Sequence, residues 1–229
     1  MLKCAEHGYR MIFELVDTHS DHVERELLAA IAALQPDGII LTPPHSDNPQ
    51  IVNFLADQKI PFARIGSVQN GAGIPVSMDD EGSARQATEY LLERGHRRIG
   101  FVKGHPNHMG SEDRFYGYRR ALDRAGIGYA AELICDGEFD FDSGVRGANR
   151  LLDLPEPPTA IFASNDDMAA GVLAVAHDRN MNLPTELSVA GFDDTTLART
   201  VWPPLTTIHQ PMAELAQTAA EILIEGGDI

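Results

Sequence analysis

Polar side chains stand directly after several predicted strands of this 229-residue chain. Asp193 follows the apolar stretch 188–192, Asn165 follows 160–164, and Arg114 lies near the start of a predicted helix. A carboxylate accepts hydrogen bonds from hydroxyl groups, and a guanidinium donates to hydroxyl, carboxylate or phosphate oxygens. These residue types favour the binding of a small polar ligand.

Each of these positions also has a second interpretation. The adjacent carboxylates of Asp193 and Asp194 suit a metal ion or acid–base chemistry, but without a neighbouring histidine they are a weak metal signal. We predict hydroxyl binding by Asp193 and a turn role for Asp194. Asn165 either caps the helix that follows it or also points its amide at a ligand. Phe139, in a polar loop, either stacks on a ring or anchors the core.

Motifs of common catalytic sites are absent from the sequence. It contains no G-x-S-x-G, G-x-x-x-x-G-K-[ST] or H-E-x-x-H motif. His105 and His108 are close in sequence but lack further residues at a ligand spacing. We therefore predict a binding protein that needs no cofactor and no metal, and not an enzyme. A hydrolase that uses Asp193 and Asp194 is the enzymatic alternative.

The composition excludes some partners. The formal net charge is -16, from 18 Lys and Arg against 34 Asp and Glu, so the chain alone should not hold nucleic acid. No apolar run approaches the roughly 20 residues of a membrane helix. Cys4 and Cys135 are far apart and predict buried free thiols in a reducing cytoplasm. We expect a cytoplasmic protein without a membrane partner.

Strands alternate with helices along the chain, and the strands are apolar throughout, which is typical of parallel sheets covered on both faces. The predicted strands are 9–16, 39–42, 61–66, 76–78, 98–102, 133–134, 160–163, 188–190 and 205–208. The predicted helices are 23–34, 51–58, 82–94, 112–125, 143–152, 168–179 and 212–224.

The alternating pattern restarts near His96, which predicts an α/β protein of two doubly wound parallel-sheet lobes. We assign residues 1–95 and 210–229 to an N-terminal lobe and residues 96–209 to a C-terminal lobe. Ligands of such sheets bind outside the carboxyl ends of the strands, which is where the polar residues stand.

Five segments, in this order, resemble LacI/GalR-type transcriptional regulators. They are GHRRIGF at 95–101, RFYGY at 114–118, IFASNDDMA at 161–169, LSVAGFDD at 187–194 and PPLTTI at 203–208. Any one of these segments is common, whereas the ordered set is specific and covers most of the chain. The resemblance implies a periplasmic-binding-protein-like type I fold, with an effector bound in a cleft between the lobes.

The resemblance also implies which residues contact the effector. Arg114 and Asp193 would be its main polar anchors, with Asn165 assisting and Phe139 stacking on it. Further ligand contacts are expected from Thr42, Asp79 and His108. Asp166 is expected to cap its helix.

The partners implied by the resemblance are a small-molecule effector, most simply a sugar, and a second copy of the chain in a homodimer. Operator DNA would be read by a helix-turn-helix headpiece that this sequence does not contain. We also expect the first strand and the last strands of the core to lie outside this sequence, leaving the first lobe incomplete. A periplasmic sugar-binding protein of a transport system is the alternative function, and it shares the fold.

Overall fold

The structure is a computed structural model that describes residues 2–16, 22–68 and 71–226. The chain folds as two units, Met1–Met78 with Pro211–Ile229, and Asp79–Gln210. Residues 79–95 group with the second unit, whereas the sequence assigned them to the first lobe. The exact lobe boundary stays a prediction.

Helices and strands alternate along most of the chain. The helices are α1 (Leu2–Glu6), α2 (Val23–Leu34), α3 (Pro49–Asp57), α4 (Asp80–Glu93), α5 (Met109–Arg124), α6 (Phe141–Leu152), α7 (Asp166–Asp178), α8 (Thr196–Thr200) and α9 (Met212–Glu225). The strands are β1 (Ile39–Leu41), β2 (Phe62–Ile65), β3 (Ile74–Val76), β4 (Ile99–Val102), β5 (Ile134–Cys135), β6 (Ala160–Ala163) and β7 (Ser188–Ala190). Short 3-10 turns form at His45–Asp47 and Ala131–Leu133.

The first unit is a parallel sheet in the order β1-β2-β3. Side chains of a strand point alternately to its two faces, so the central strand β2 contributes to two cores. Phe62 packs with Ile51 of α3 and with residues of α2 on one face. Ala63 and Ile65 pack with Leu215 of α9 on the other. The sheet is therefore covered on both sides.

The second unit is a parallel sheet in the order β5-β4-β6-β7. The chain moves from β4 to one edge, at β5, and then returns to build β6 and β7 on the other side. At such a reversal the loops that leave adjacent strands diverge and open a crevice. Together with the first sheet, this arrangement confirms the predicted α/β class with parallel sheets.

Aromatic packing fixes the centre of the second unit. The ring of Phe101 on β4 lies 4.8 Å from that of Tyr118 and 5.3 Å from that of Phe162. The Tyr118 hydroxyl donates to the carbonyl of Ile99 at 2.8 Å, which satisfies it inside the core. Burial raises the pKa of Tyr118 well above its usual range, so this hydroxyl stays protonated.

Helices α4 and α5 cross at close range because Gly117 has no side chain. A Cβ atom at this position would collide with the carbonyl oxygen of Glu81. The close crossing places the first residue of α4 beside the first turns of α5.

Two strand predictions were wrong. Residues 9–16 form no strand, and Ile12, Phe13 and Leu15 are exposed. Their β-propensity predicts a strand, but a strand forms only where a neighbouring strand accepts its hydrogen bonds. Residues 205–208 form a single isolated bridge, between Thr206 and Ala190, because only one residue of the segment meets β7.

Trp202, the single tryptophan of the chain, follows α8 and is 78% exposed. Its carbonyl accepts a hydrogen bond from Nε2 of His177 at 2.6 Å, which attaches this segment to the end of α7.

Cys4 and Cys135 are both buried and free. Within the described ranges, every helix is too short or too polar to cross a membrane.

Candidate functional site

The loops that follow the four strands of the second sheet converge at one edge. Arg114 lies on α5, the helix after β4, and Phe139 follows β5. Asn165 follows β6 and Asp193 follows β7. Because parallel strands end at the same edge, the four segments that follow these strands bring the four predicted site residues to one edge of the unit.

Arg114 is the centre of this site and is only 5% exposed. Its Nε donates to Oδ1 of Asp80 at 2.7 Å, and its Nη1 donates to the Ser164 carbonyl at 2.5 Å. The guanidinium lies 3.7 Å from the ring centre of Phe192, a cation–π contact. Nη2 makes no hydrogen bond to any residue that the structure describes, so its two N–H groups are available to a ligand.

Asp193 faces Arg114, with 3.6 Å between its Oδ1 and Nη1 of the arginine. Its backbone has a φ of 116°, a region that non-glycine residues rarely adopt. Two backbone hydrogen bonds hold this conformation. The Asp193 N–H donates to the Ile208 carbonyl at 2.8 Å, and the Gln210 N–H donates to the Asp193 carbonyl at 3.1 Å. Backbone strain of this kind is maintained only where the neighbours over-determine it, commonly at binding sites.

The carboxyl group of Asp193 titrates close to neutral pH. Burial raises its pKa to about 7. The positive charge of Arg114 opposes this shift, while the neighbouring carboxylates of Asp166, Asp80 and Asp167 add to it. At neutral pH the group therefore exchanges between a hydrogen-bond acceptor and a protonated form that also donates.

Asp166 does not cap its helix, contrary to expectation. Its Oδ2 accepts from the N–H of Thr195 at 2.7 Å and from the Thr195 hydroxyl at 3.0 Å. Its Oδ1 accepts from the Thr207 hydroxyl at 2.6 Å. This fully buried carboxylate thus ties the loop that carries Asp193 to the segment beside it.

Asn165 is the residue that caps α7. Its Oδ1 accepts from the N–H of Met168 at 2.9 Å, and its Nδ2 donates to the carbonyl of Phe139 at 2.9 Å. One side chain therefore starts a helix and also fixes the loop that carries the aromatic residue. A direct contact between Asn165 and a ligand stays a prediction.

Phe139 packs partly against the core, and its stacking on a ligand stays a prediction. Its ring is partly buried against the core of the second unit, yet it also lies 5.8 Å from the Arg114 guanidinium. The His108 ring is 5.1 Å away on another side. Gly104 makes room for the ring, because a Cβ atom there would overlap it. The structure thus brings Phe139, His108 and Arg114 together.

Asp79 and Asp80 have different environments. Asp79 is exposed and caps α4, with its Oδ1 accepting from the N–H of Gly82 at 2.8 Å. Asp80, which was not among the predicted site residues, is buried against Arg114. A helical pattern could have found it, because Asp80 shares the buried face of α4 with Ala84, Ala87 and Leu91.

Thr42 belongs to the first unit, where it follows β1 and is exposed. Its carbonyl accepts from the N–H groups of His45 and Ser46 at 2.9 and 3.1 Å, so its backbone starts the turn after the strand. A ligand contact by Thr42 stays a prediction.

The histidines beside the site do not form a metal centre. Nε2 of His105 lies 3.4 Å from a carboxylate oxygen of Glu138, and its ring is 5.7 Å from that of His108. In the part of the chain that the structure describes, no group of three or more His, Cys, Asp or Glu side chains is placed to hold a metal ion.

The chemistry of the site is that of recognition by hydrogen bonds. Arg114 supplies fixed donors, Asp193 supplies an acceptor beside them, and Phe139 supplies an apolar ring surface. Neighbouring hydroxyls on one ligand need a donor and an acceptor at this kind of spacing, and the apolar faces of a sugar or a base pack on an aromatic ring.

Residues 88–227 match the model of a family described as "Periplasmic binding protein-like domain". The chain is 34% identical over 217 residues to catabolite control protein A of Priestia megaterium, covering 94% of this chain and 65% of that protein. It is 32% identical over 228 residues to the HTH-type transcriptional regulator CelR of Thermobifida fusca, covering 96% and 65%.

Solved structures of LacI-type regulators are also similar to this chain. A complex of the transcriptional regulator CelR with cellobiose matches all of this chain and 71% of that chain, with a TM-score of 0.89 and 31% identity. A LacI-family regulatory protein from Chloroflexus aggregans matches 98% of this chain and 82% of its own, with a TM-score of 0.87 and 32% identity. The chain therefore belongs to the periplasmic-binding-protein-like domain family, in the form carried by LacI-type transcriptional regulators.

Proposed function

We propose that this chain is the effector-binding core of a LacI-type transcriptional regulator and that its effector is a neutral hydroxylated molecule, most simply a sugar. The chain spans 65% of the length of the two curated relatives described above. Those relatives are named as a control protein and a transcriptional regulator, which favours this function over a periplasmic sugar-binding protein of a transport system. It also favours a binding protein over an enzyme.

The observation that carries the proposal is the pairing of Arg114 with Asp193. The guanidinium is oriented by Asp80 and Ser164, and its Nη edge faces the Asp193 carboxyl group. A vicinal diol placed there would accept from the guanidinium through one oxygen and donate to Asp193 through the other. Such hydrogen bonds to charged groups contribute roughly 1.5–3 kcal/mol each.

The charges around the site favour a neutral ligand over a phosphate or a carboxylate. The buried cation Arg114 lies beside the carboxyl groups of Asp80 and Asp193, and the negative charge of Asp166 acts on Asp193, so an anionic ligand would meet net repulsion. The solved complex of the relative CelR with cellobiose is in keeping with a neutral sugar.

The resemblance to LacI-type regulators favours two further partners, operator DNA and a second copy of the chain. Operator DNA would be bound by a headpiece, and effector binding would shift the population of conformations that fit the operator. With a net charge of -16, this chain lacks the excess of Lys and Arg that neutralises DNA phosphates, so we expect no shift of duplex DNA in a gel at physiological salt. We propose a homodimer in the cytoplasm.

Ligand binding is tested by thermal shift and calorimetry with cellobiose, glucose, maltose, xylose and ribose, and with gluconate and glucose 6-phosphate as anionic counterparts. A ligand that binds only the native state raises the melting temperature by mass action. We expect at least one neutral sugar to bind, and Arg114→Ala and Asp193→Ala to weaken its binding. The proposal is wrong if none of the five neutral sugars binds, or if both variants bind as tightly as the unchanged chain.

A further inference from the structure

A second buried arginine lies in the first unit. Arg64 is on β2, the central strand of the sheet, between β1 and β3, and is only 2% exposed. By the alternation of strand side chains it lies on the same face as Phe62, towards α2 and α3. Burying a charge costs free energy unless the charge is paired and hydrogen-bonded, so the groups around Arg64 indicate what it does.

The side chains around Arg64 come from the loops that follow β1 and β2. Nη1 of Arg64 donates to the Ser46 carbonyl at 3.4 Å and lies 3.8 Å from Oδ1 of Asp47. The same Asp47 oxygen accepts from the Ser67 hydroxyl at 2.5 Å. A cation, a carboxylate and two serines are thereby gathered at the carboxyl ends of two adjacent parallel strands, where ligands of such sheets bind.

The hydroxyl group of Ser46 is an independent sign of a ligand. Ser46 is fully buried, and within the described ranges its Oγ has no hydrogen-bond partner. A buried hydroxyl without a partner costs about 1–3 kcal/mol. A ligand oxygen would remove that cost.

We infer that Arg64, Asp47 and Ser46 form a hydroxyl-binding site of the first unit for a neutral sugar. The guanidinium donates to one ligand hydroxyl, the Asp47 carboxylate accepts from another, and Ser46 completes its hydrogen bonding with a third oxygen. Arg64 and Asp47 carry opposite charges, so the pair offers a donor and an acceptor without excess charge. The second unit uses the same combination in Arg114 and Asp193, and the ligand class rests on the function proposed above.

The test uses Ser46→Ala and Asp47→Asn, because Arg64 lies in a core strand and its replacement endangers folding. Ser46→Ala removes a hydroxyl that has no partner among the described residues, so the melting temperature should not fall. Ser77→Ala, at an exposed serine of the same unit, is the matched control. Each variant is titrated calorimetrically with cellobiose, glucose, maltose, xylose and ribose.

We expect each of the two variants to weaken sugar binding between about threefold and tenfold, the equivalent of one net hydrogen bond, or to lower the stoichiometry. Ser77→Ala should bind like the unchanged chain. If Ser46→Ala and Asp47→Asn keep both affinity and stoichiometry while Arg114→Ala loses binding, this inference fails and the proposed function stands. If the unchanged chain binds none of the five sugars, both fail.

Discussion

Nε of Arg114 donates to Oδ1 of Asp80 at 2.7 Å, and both side chains are less than a tenth exposed. This bond fixes the plane of the guanidinium on a helix crossing that Gly117 makes possible. The guanidinium presents its Nη edge to Asp193 because its Nε edge is already occupied. Asp80 is thus a positioning residue for the ligand site.

Arg114→Ala should weaken sugar binding by roughly 1.5–3 kcal/mol, because a hydrogen-bonding charged group is lost. It should also lower the free energy of unfolding by about 3–5 kcal/mol, since Asp80 is left buried without its partner. Adding Asp80→Asn should restore stability without restoring binding. Calorimetry and urea unfolding measure the two quantities separately, and equal losses of stability in the single and double variants would contradict the role given to Asp80.

Sugar affinity should rise with pH around neutrality. The pKa of Asp193 is about 7, and a ligand hydroxyl donates to its ionised form, so the binding-competent fraction grows as the proton leaves. From pH 6 to pH 8 this fraction, and with it the association constant, increases about tenfold. Binding at pH 7 should release protons, which appears as a buffer-dependent calorimetric enthalpy. Asp193→Asn should bind more weakly and show no such pH dependence; a dependence that persists in this variant would assign the titration to another group.

Asn165→Ser separates the two hydrogen bonds of Asn165. Serine keeps a capping oxygen for the N–H of Met168 but loses the donor to the Phe139 carbonyl. Asn165→Ala loses both, so it should be about 0.5–2 kcal/mol less stable than the serine variant. Both variants should bind sugar more weakly, because the Phe139 loop is no longer held. Unchanged binding in both would show that the loop does not need this bond.

Gly104→Ala should weaken sugar binding by about 0.5–1.5 kcal/mol, the scale of an aromatic contact, because the new methyl group displaces the Phe139 ring. Gly128→Ala is the matched control, since a Cβ atom there meets no other atom within 4 Å. Calorimetric titration of the two variants distinguishes displacement of the ring from a general effect of alanine. Equal affinity in both would mean that the ring does not touch the sugar.

The sequence predicted much of this fold because its signals are local. The helix at 23–34 was predicted with its observed bounds, and β1 to β7 and the other long helices lie within a few residues of their predictions. The strand predicted at 9–16 was wrong because β-propensity describes single side chains, whereas a strand also needs a neighbouring strand to bond with. The short helices α1 and α8 have too few residues for a periodic pattern.

The candidate site was predicted only where a residue type stands out locally: Asn165 and Asp193 directly after a strand, Arg114 near the start of a helix and Phe139 in a polar loop. Asp80 was missed because its partner is 34 residues away, and only the crossing of α4 and α5 brings the two together. The left-handed backbone of Asp193 likewise depends on bonds to residues 208 and 210. A short stretch of sequence does not show which distant segments it will contact in the fold.

Trp202 has a practical consequence for all of these measurements. The indole is already 78% exposed in the native chain, so its surroundings change little when the chain unfolds. Because it is the single tryptophan, intrinsic emission will report the melting of this protein poorly. Far-ultraviolet circular dichroism, which follows the helices themselves, is the signal to monitor in the unfolding experiments.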